Sequence, residues 1–315
     1  MSRPAALVAF LCALPVAAQQ SSGAPGGGEK GPLIPTARTR NLALAPSANA
    51  LRSTFRLDVK LIEAPVNVTD DYGRPVRGLA QSAFRIFEDD LEQKVTAFSS
   101  TDAPISAGLV FDTSGSMRNR LLPSRAAVDQ FFRASMEGDE YFLVRFADSP
   151  ELVTPFTRST DQVSSHLSDL QAHGWTALID AVYRSIGEMR RASNSRHVLL
   201  VLSDGADNNS RYSEAELASR LREADVRIFA IGLFERPRLL ERLAEETGGG
   251  VIWVHKMAEL PEAMEKLSLQ IRNEYVLGYF SSAPNDGRYH RLRIEVQPPA
   301  GMRIHASWRR GYLEP

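Results

Sequence analysis

Between residues 104 and 273 the apolar pattern switches back and forth between the period of a strand and that of a helix. No other feature constrains the fold as strongly. Strand-like runs lie at Ser106–Phe111, Tyr141–Phe146, His197–Leu202, Val226–Leu233 and Val251–Val254, with a shorter one at Leu152 and Val153. Between them, Leu121, Val128, Phe131 and Phe132 are spaced for an amphipathic helix over 120–135, and further helical patterns cover 176–191, 237–247 and 258–272. Ser213-Glu214-Ala215-Glu216 has the form of a capping box, which sets the start of a helix running to Glu223. Gly248-Gly249-Gly250 ends the helix over 237–247. The run from His197 to Leu202 is apolar on successive positions, as befits a strand buried on both faces. Alternation of this kind predicts a doubly wound, mostly parallel sheet with right-handed crossovers and helices on both faces.

The segments on either side read differently. Residues 54–103 are β-rich, with Leu57, Val59 and Leu61, then Val66 and Val68, then Phe84–Glu88 and Val95–Phe98, and with turns at Asp70-Asp71-Tyr72-Gly73 and Glu88-Asp89-Asp90. Residues 274–315 return to strands at Tyr275–Phe280, at Leu292, Ile294 and Val296, and at Met302–Trp308. Neither flank is long enough to bury a good core alone, so the two are expected to pair into one β-sandwich attached to the α/β domain of residues 104–273. Residues 19–53 are rich in Gly, Ser and Pro and read as a flexible linker. Residues 1–18 have the plan of a secretory signal peptide: Arg3, an apolar run, and Val16-Ala17-Ala18 as a small-residue exit. That apolar run falls short of the roughly 20 residues of a membrane span. The expectation is export to the periplasm or the medium, with no integral span once the leader is removed. The one cysteine, Cys12, lies in that leader, which excludes a disulfide framework and a multi-cysteine metal site. A formal charge of -1 gives no basic excess for binding nucleic acid.

Ligands of open α/β sheets bind beyond the carboxyl ends of the strands, and there this chain gathers oxygen. Asp112-Thr113-Ser114-Gly115-Ser116 follows the first strand of the alternating region, and Ser203-Asp204-Gly205 follows the strand from His197. Gly174-Trp175-Thr176 adds a hydroxyl just before a helix. Two carboxylates and three hydroxyls, without sulfur or imidazole, select magnesium, manganese or calcium over zinc or copper.

Asp-x-Ser-x-Ser after a strand, Thr before a helix and Ser-Asp-Gly after a later strand resemble the metal-ion-dependent adhesion site of von Willebrand factor A domains, in order and in spacing. The resemblance implies that Ser114, Ser116 and Thr176 donate hydroxyl oxygens. It implies also that Asp112 and Asp204 hold a divalent cation, magnesium first, directly or through water, and that an Asp or Glu of a partner protein fills an open coordination position. Val68-Thr69-Asp70, Gly73-Arg74-Pro75-Val76, Phe84–Asp89 and Tyr275-Val276-Leu277-Gly278-Tyr279 look like exported bacterial VWFA-related proteins of the acidobacterial type. Trp175 departs from the small residue common in the family.

Other readings compete with these motifs. Asp180, one turn after Thr176, is either a brace for the site or a surface carboxylate. Asp207-Asn208-Asn209 is either a solvated loop or a second cation site. Trp175 is either a partner contact or a half-buried loop residue. Arg303, Arg309 and Arg310 are read as arginines on an exposed strand face. Ser114, Asp112 and His173 or His197 are the residue types of a serine hydrolase, but no Gly-x-Ser-x-Gly elbow, Walker loop or dinucleotide glycine motif is present. The expectation is a non-enzymatic adhesion module. A structural subunit of a cell-envelope complex and a metal-dependent hydrolase are the alternatives.

Overall fold

The computed structural model of the protein describes residues 60–281, 283 and 286–313. The expected leader, the linker and the flank up to residue 59 lie outside these.

In chain order the elements are β1 (Lys60–Asp70), β2 (Phe84–Glu88), β3 (Leu91–Gln93), β4 (Val95–Ser99), β5 (Ile105–Asp112), α1 (Leu121–Phe132), β6 (Glu140–Phe146), β7 (Pro150–Thr157), α2 (Thr160–Asp169) and α3 (Leu178–Met189). They continue as β8 (Arg196–Ser203), α4 (Glu214–Glu223), β9 (Arg227–Leu233), α5 (Arg238–Thr247), β10 (Gly250–Val254), α6 (Leu260–Arg272), β11 (Glu274–Ser281), β12 (Tyr289–Val296), β13 (Ile304–Trp308) and β14 (Gly311–Leu313).

The central sheet has the order β10-β9-β8-β5-β6-β7. Its first five strands are parallel, and β7 closes one edge antiparallel to β6. The doubly wound reading therefore holds, with one difference: the short run at Leu152 and Val153 belongs to an eight-residue edge strand. Helices cover both faces. Leu121 and Phe131 of α1, Val163 and Leu167 of α2 and Leu267 of α6 pack on one side against Ile105, Leu109 and Phe111. On the other side α3, α4 and α5 bring Val182, Leu217 and Leu240 against Val110, Val144 and Val201. Because β5 and β8 send alternate residues into both cores, their sequences are apolar without a break.

The helix ends follow local chemistry. The Ser213 hydroxyl accepts from the Glu216 N–H while the Glu216 carboxylate accepts from the Ser213 N–H at 2.8 Å, satisfying donors at the start of α4. At the end of α5, Gly248 adopts φ +73, and an added Cβ would lie 2.4 Å from the Trp308 backbone. Both the dihedral and the space require glycine there.

The remaining strands form two antiparallel sheets, β13-β1-β11-β4 and β14-β12-β2-β3. Strand β1 from the N-terminal flank pairs with β11 from the C-terminal flank, from Lys60 opposite Ser281 to Asn67 opposite Glu274. Val66, Val68, Ile86, Tyr275, Leu277, Tyr279 and Ile294 share one apolar core between the sheets. Buried Glu88 accepts hydrogen bonds from Tyr279 at 2.7 Å, Ser281 at 2.8 Å and Tyr312 at 2.5 Å, which satisfies a carboxylate that would otherwise be costly to bury.

Candidate functional site

Strands β5 and β8 are adjacent and in parallel register, with Phe111 opposite Leu202. The next residues, Asp112 and Ser203, therefore leave the sheet side by side. Ser203 Oγ donates to Asp112 Oδ2 at 2.5 Å, and the Ser114 N–H donates to Asp112 Oδ1 at 2.8 Å. Asp112 is 0% exposed. Burial pushes its carboxyl above the ordinary value of 3.8, and the charge of Asp204 adds to the shift, while the bonds from Ser114 and Ser203 oppose it.

Beyond Asp112 the chain makes a short 3-10 turn, Gly115–Asn119. The Gly115 N–H donates to the Gly174 carbonyl at 3.1 Å, drawing the loop before α3 against the loop after β5. Gly174 has φ +67, and any Cβ there would meet the Asp148 carboxylate at 2.2 Å. Asp148 in turn accepts from the Trp175 N–H at 2.8 Å. The hydroxyls of Ser114 and Ser116 lie 3.0 Å apart, and Ser116 Oγ donates to Asp204 Oδ1 at 2.7 Å. The other Asp204 oxygen forms an ion pair with Arg120.

Asp112, Ser114, Ser116 and Asp204 thus converge, the first through Ser114 and the others by direct contacts. Thr176 lines the same open cavity, of about 380 Å³, with Ser116, Arg120, Asp204, Asn208 and Phe234. Its N–H donates to Asn208 Oδ1 at 2.8 Å and its carbonyl accepts from the Asn208 and Asn209 N–H groups. The donors are all oxygen, two of them carboxylate, and the charge of the pair is offset by Arg120 alone among the groups they touch. This chemistry fits a hard divalent cation. Among the described residues no three His, Cys, Asp or Glu side chains form a metal cluster, so any cation here would depend on the hydroxyls.

The residues with two readings are placed by their contacts. Asp180 is buried, and its Oδ1 accepts from the N–H groups of Arg211 at 2.9 Å and Tyr212 at 3.0 Å, so it ties down the loop after β8 and is not a surface carboxylate. Asp207 Oδ1 accepts from the Ile179 N–H at 3.0 Å, so this carboxylate turns to the first turn of α3. Trp175 is 64% exposed and is not the half-buried alternative. Arg309 donates to the Arg222 carbonyl near the end of α4 at 2.8 Å, and Arg310 lies over the Trp308 ring. Reading the sequence missed Arg120 and Phe234. The guanidinium of Arg120 lies over the Phe234 ring, 4.3 Å from its centroid. The only sequence signal was the position of Arg120 four residues after Ser116; nothing joined it to Asp204, 84 residues away.

Residues 109–206 match the sequence model of the von Willebrand factor type A domain. The chain is 25% identical over 161 residues to the collagen alpha-2(VI) chain of Gallus gallus, a match covering 45% of this chain and 16% of that protein. Among solved structures, a von Willebrand factor type A protein from Catenulispora acidiphila aligns with a TM-score of 0.49 at 14% identity, covering 82% of this chain and 75% of that one. The proximal thread matrix protein 1 of the mussel byssus, described with a zinc-occupied MIDAS motif, aligns at 0.48 and 19% identity over 58% of this chain and 49% of that one. The sequence match and the sheet architecture identify the central domain as a Rossmann-like α/β domain of von Willebrand factor type A (VWA). VWA domains are protein-interaction modules. No helix among the described residues is long and apolar enough to cross a membrane.

Proposed function

We propose that this protein is an exported binding module whose VWA domain holds one divalent cation, through Asp112, Ser114, Ser116, Thr176 and Asp204, and captures an acidic side chain of a partner protein. The observation that carries this reading is the 2.7 Å bond from Ser116 to Asp204, which joins two loops 88 residues apart beside an open cavity. Magnesium suits the donors best, with manganese or calcium as substitutes. A bound cation with one open position would accept a carboxylate oxygen from the partner.

The residues of the chain divide the work. Ser203 and the Ser114 N–H hold Asp112 in one orientation, so its buried charge stays aimed at the loop. Asn208 and Asp207 hold the backbone that presents Thr176. Residues 1–18 are proposed as a cleaved leader, residues 19–53 as a tether, and the paired flanks as one second domain beside residues 104–273. A binding role is favoured over hydrolysis by the placement of His197. His197 is the second residue of β8, at the opposite end of the sheet from Ser114, and its ring contacts the Asp225 carbonyl at 2.8 Å. His173 lies beside the site, its N–H donating to the Thr113 carbonyl at 2.9 Å, and its ring contacts the Gln171 carbonyl at 3.1 Å.

The test is an affinity capture from the native host with and without magnesium. Partner recovery should fall to background in EDTA and in Asp112→Ala or Asp204→Ala, while circular dichroism of the variants stays native. Capture that persists in EDTA would overturn the cation mechanism, and would favour a structural subunit held by other surfaces.

A further inference from the structure

We infer that Arg120 is the resident counter-ion of this site and gates it: its guanidinium must leave Asp204 before a divalent cation can use that carboxylate fully. The inference rests on the reading of Asp112 and Asp204 as cation ligands.

The side chain of Asp204 is 0% exposed, and its two oxygens are met by Ser116 and by Arg120. Asp112 is met only by neutral donors, Ser114 and Ser203. A buried carboxylate with no opposite charge is costly, and two facing each other are costlier. Arg120 supplies the one positive charge in contact with this pair. The same charge works against a metal. A divalent cation within reach of Asp204 would sit within a few ångströms of the guanidinium, and like charges at that separation repel strongly in a partly buried site. The two cations therefore compete for one carboxylate.

The surroundings give the guanidinium somewhere to go. The Arg120 side chain is 28% exposed, unlike that of Asp204, and it heads α1 at the mouth of the cavity. Phe234, 40% exposed, offers a ring against it. The Phe234 N–H donates to the Val254 carbonyl at 2.8 Å, and its backbone is held at φ +68, a conformation that a phenylalanine adopts only when its surroundings impose it. A cation–π seat of this kind keeps a guanidinium nearby after it leaves its carboxylate. Arg120 can thus turn toward solvent over a ring carried on a held backbone.

The experiment is calorimetric titration of the full chain with magnesium alone, comparing wild type with Arg120→Met, which keeps the stem and removes the charge, and Arg120→Lys, which keeps the charge. The Met variant should bind magnesium on the order of tenfold more tightly than wild type, and the Lys variant within a few-fold of it. In EDTA the Met variant should melt at a lower temperature than wild type and should recover more on adding magnesium. Should the Met variant fail to fold in EDTA, Arg120→Gln takes its place, with the same direction expected. Equal or weaker magnesium binding by the charge-removing variants would overturn the gate and leave the cation reading intact. Absence of magnesium binding in both wild type and variants would overturn the cation reading itself.

Discussion

The central sheet collects carboxylates at both of its ends and treats them in opposite ways. At the amino ends of the strands, Asp139 accepts from the Ile105 N–H at 2.9 Å and the Met136 N–H at 2.8 Å and is ion-paired with Arg272. Glu274, the first residue of β11, lies between Arg196 and Arg227. Glu140 accepts from Ser106 and from both the N–H and the hydroxyl of Ser193, each at 2.6 Å. Every one of these carboxylates is answered by arginine or by several donors, and the cluster anchors the start of β11 to the α/β domain. At the carboxyl ends, Asp204 is paired with Arg120 beside a cavity, and Asp112 is met by the neutral donors Ser114 and Ser203. Carboxylates closed in by arginine or by several donors build structure, whereas a carboxylate beside an open cavity keeps capacity for a ligand.

The comparison can be broken most directly at the closed end. Arg272→Ala would leave buried Asp139 without its counter-ion, at a cost of about 3–5 kcal/mol by urea denaturation. Asp204→Ala should cost clearly less, because its partner Arg120 reaches solvent. Equal losses would show that both ends are structural.

A smaller effect is expected at Ser203. Removing its hydroxyl with Ser203→Ala leaves Asp112 Oδ2 short of a donor, which should cost about 1–3 kcal/mol and weaken magnesium binding in the same variant. A loss of stability with unchanged magnesium affinity would place Asp112 in the scaffold and outside the site.

The smallest effect is one of pH. Burial raises the Glu140 carboxyl, but the bonds from Ser106 and Ser193 more than offset this and hold it below its ordinary 4.5. A carboxyl depressed in the folded state adds stability above its unfolded value, and that stability is lost as the pH falls through the folded value. Thermal melts of the wild type should therefore decline below about pH 4.5, and Glu140→Gln should flatten part of that decline. An unchanged acid limb in the variant would remove Glu140 from the saturated set.

What could be read from the sequence follows the range of the interactions. The Ser213–Glu216 capping box involves four consecutive residues and was legible to the residue. Helix α2 was not: it buries only Val163 and Leu167 in ten residues, too few for a helical period to stand out. Strands β3 and β14 are three residues each and exist through their neighbours, β2 and β12. At the site, the oxygen-bearing residues announced themselves because each follows a strand or precedes a helix. Asp180 was ambiguous because its partners, Arg211 and Tyr212, lie across the loop after β8.

The alternation of strand and helix, the ends of the strands, and therefore the points where Asp112, Ser114, Ser116, Thr176 and Asp204 leave the sheet are all written in the order of residues. Apolar periods and caps act over a few residues and are written in order along the chain. Which charge faces which depends on the packing of distant segments. Arg120 and Asp204 are 84 residues apart, and Arg272 and Asp139 are 133 apart. Their pairing depends on which strands lie side by side and which helix packs over them. That is why the two carboxylate clusters, alike in composition, became an anchor at one end of the sheet and a candidate ligand site at the other.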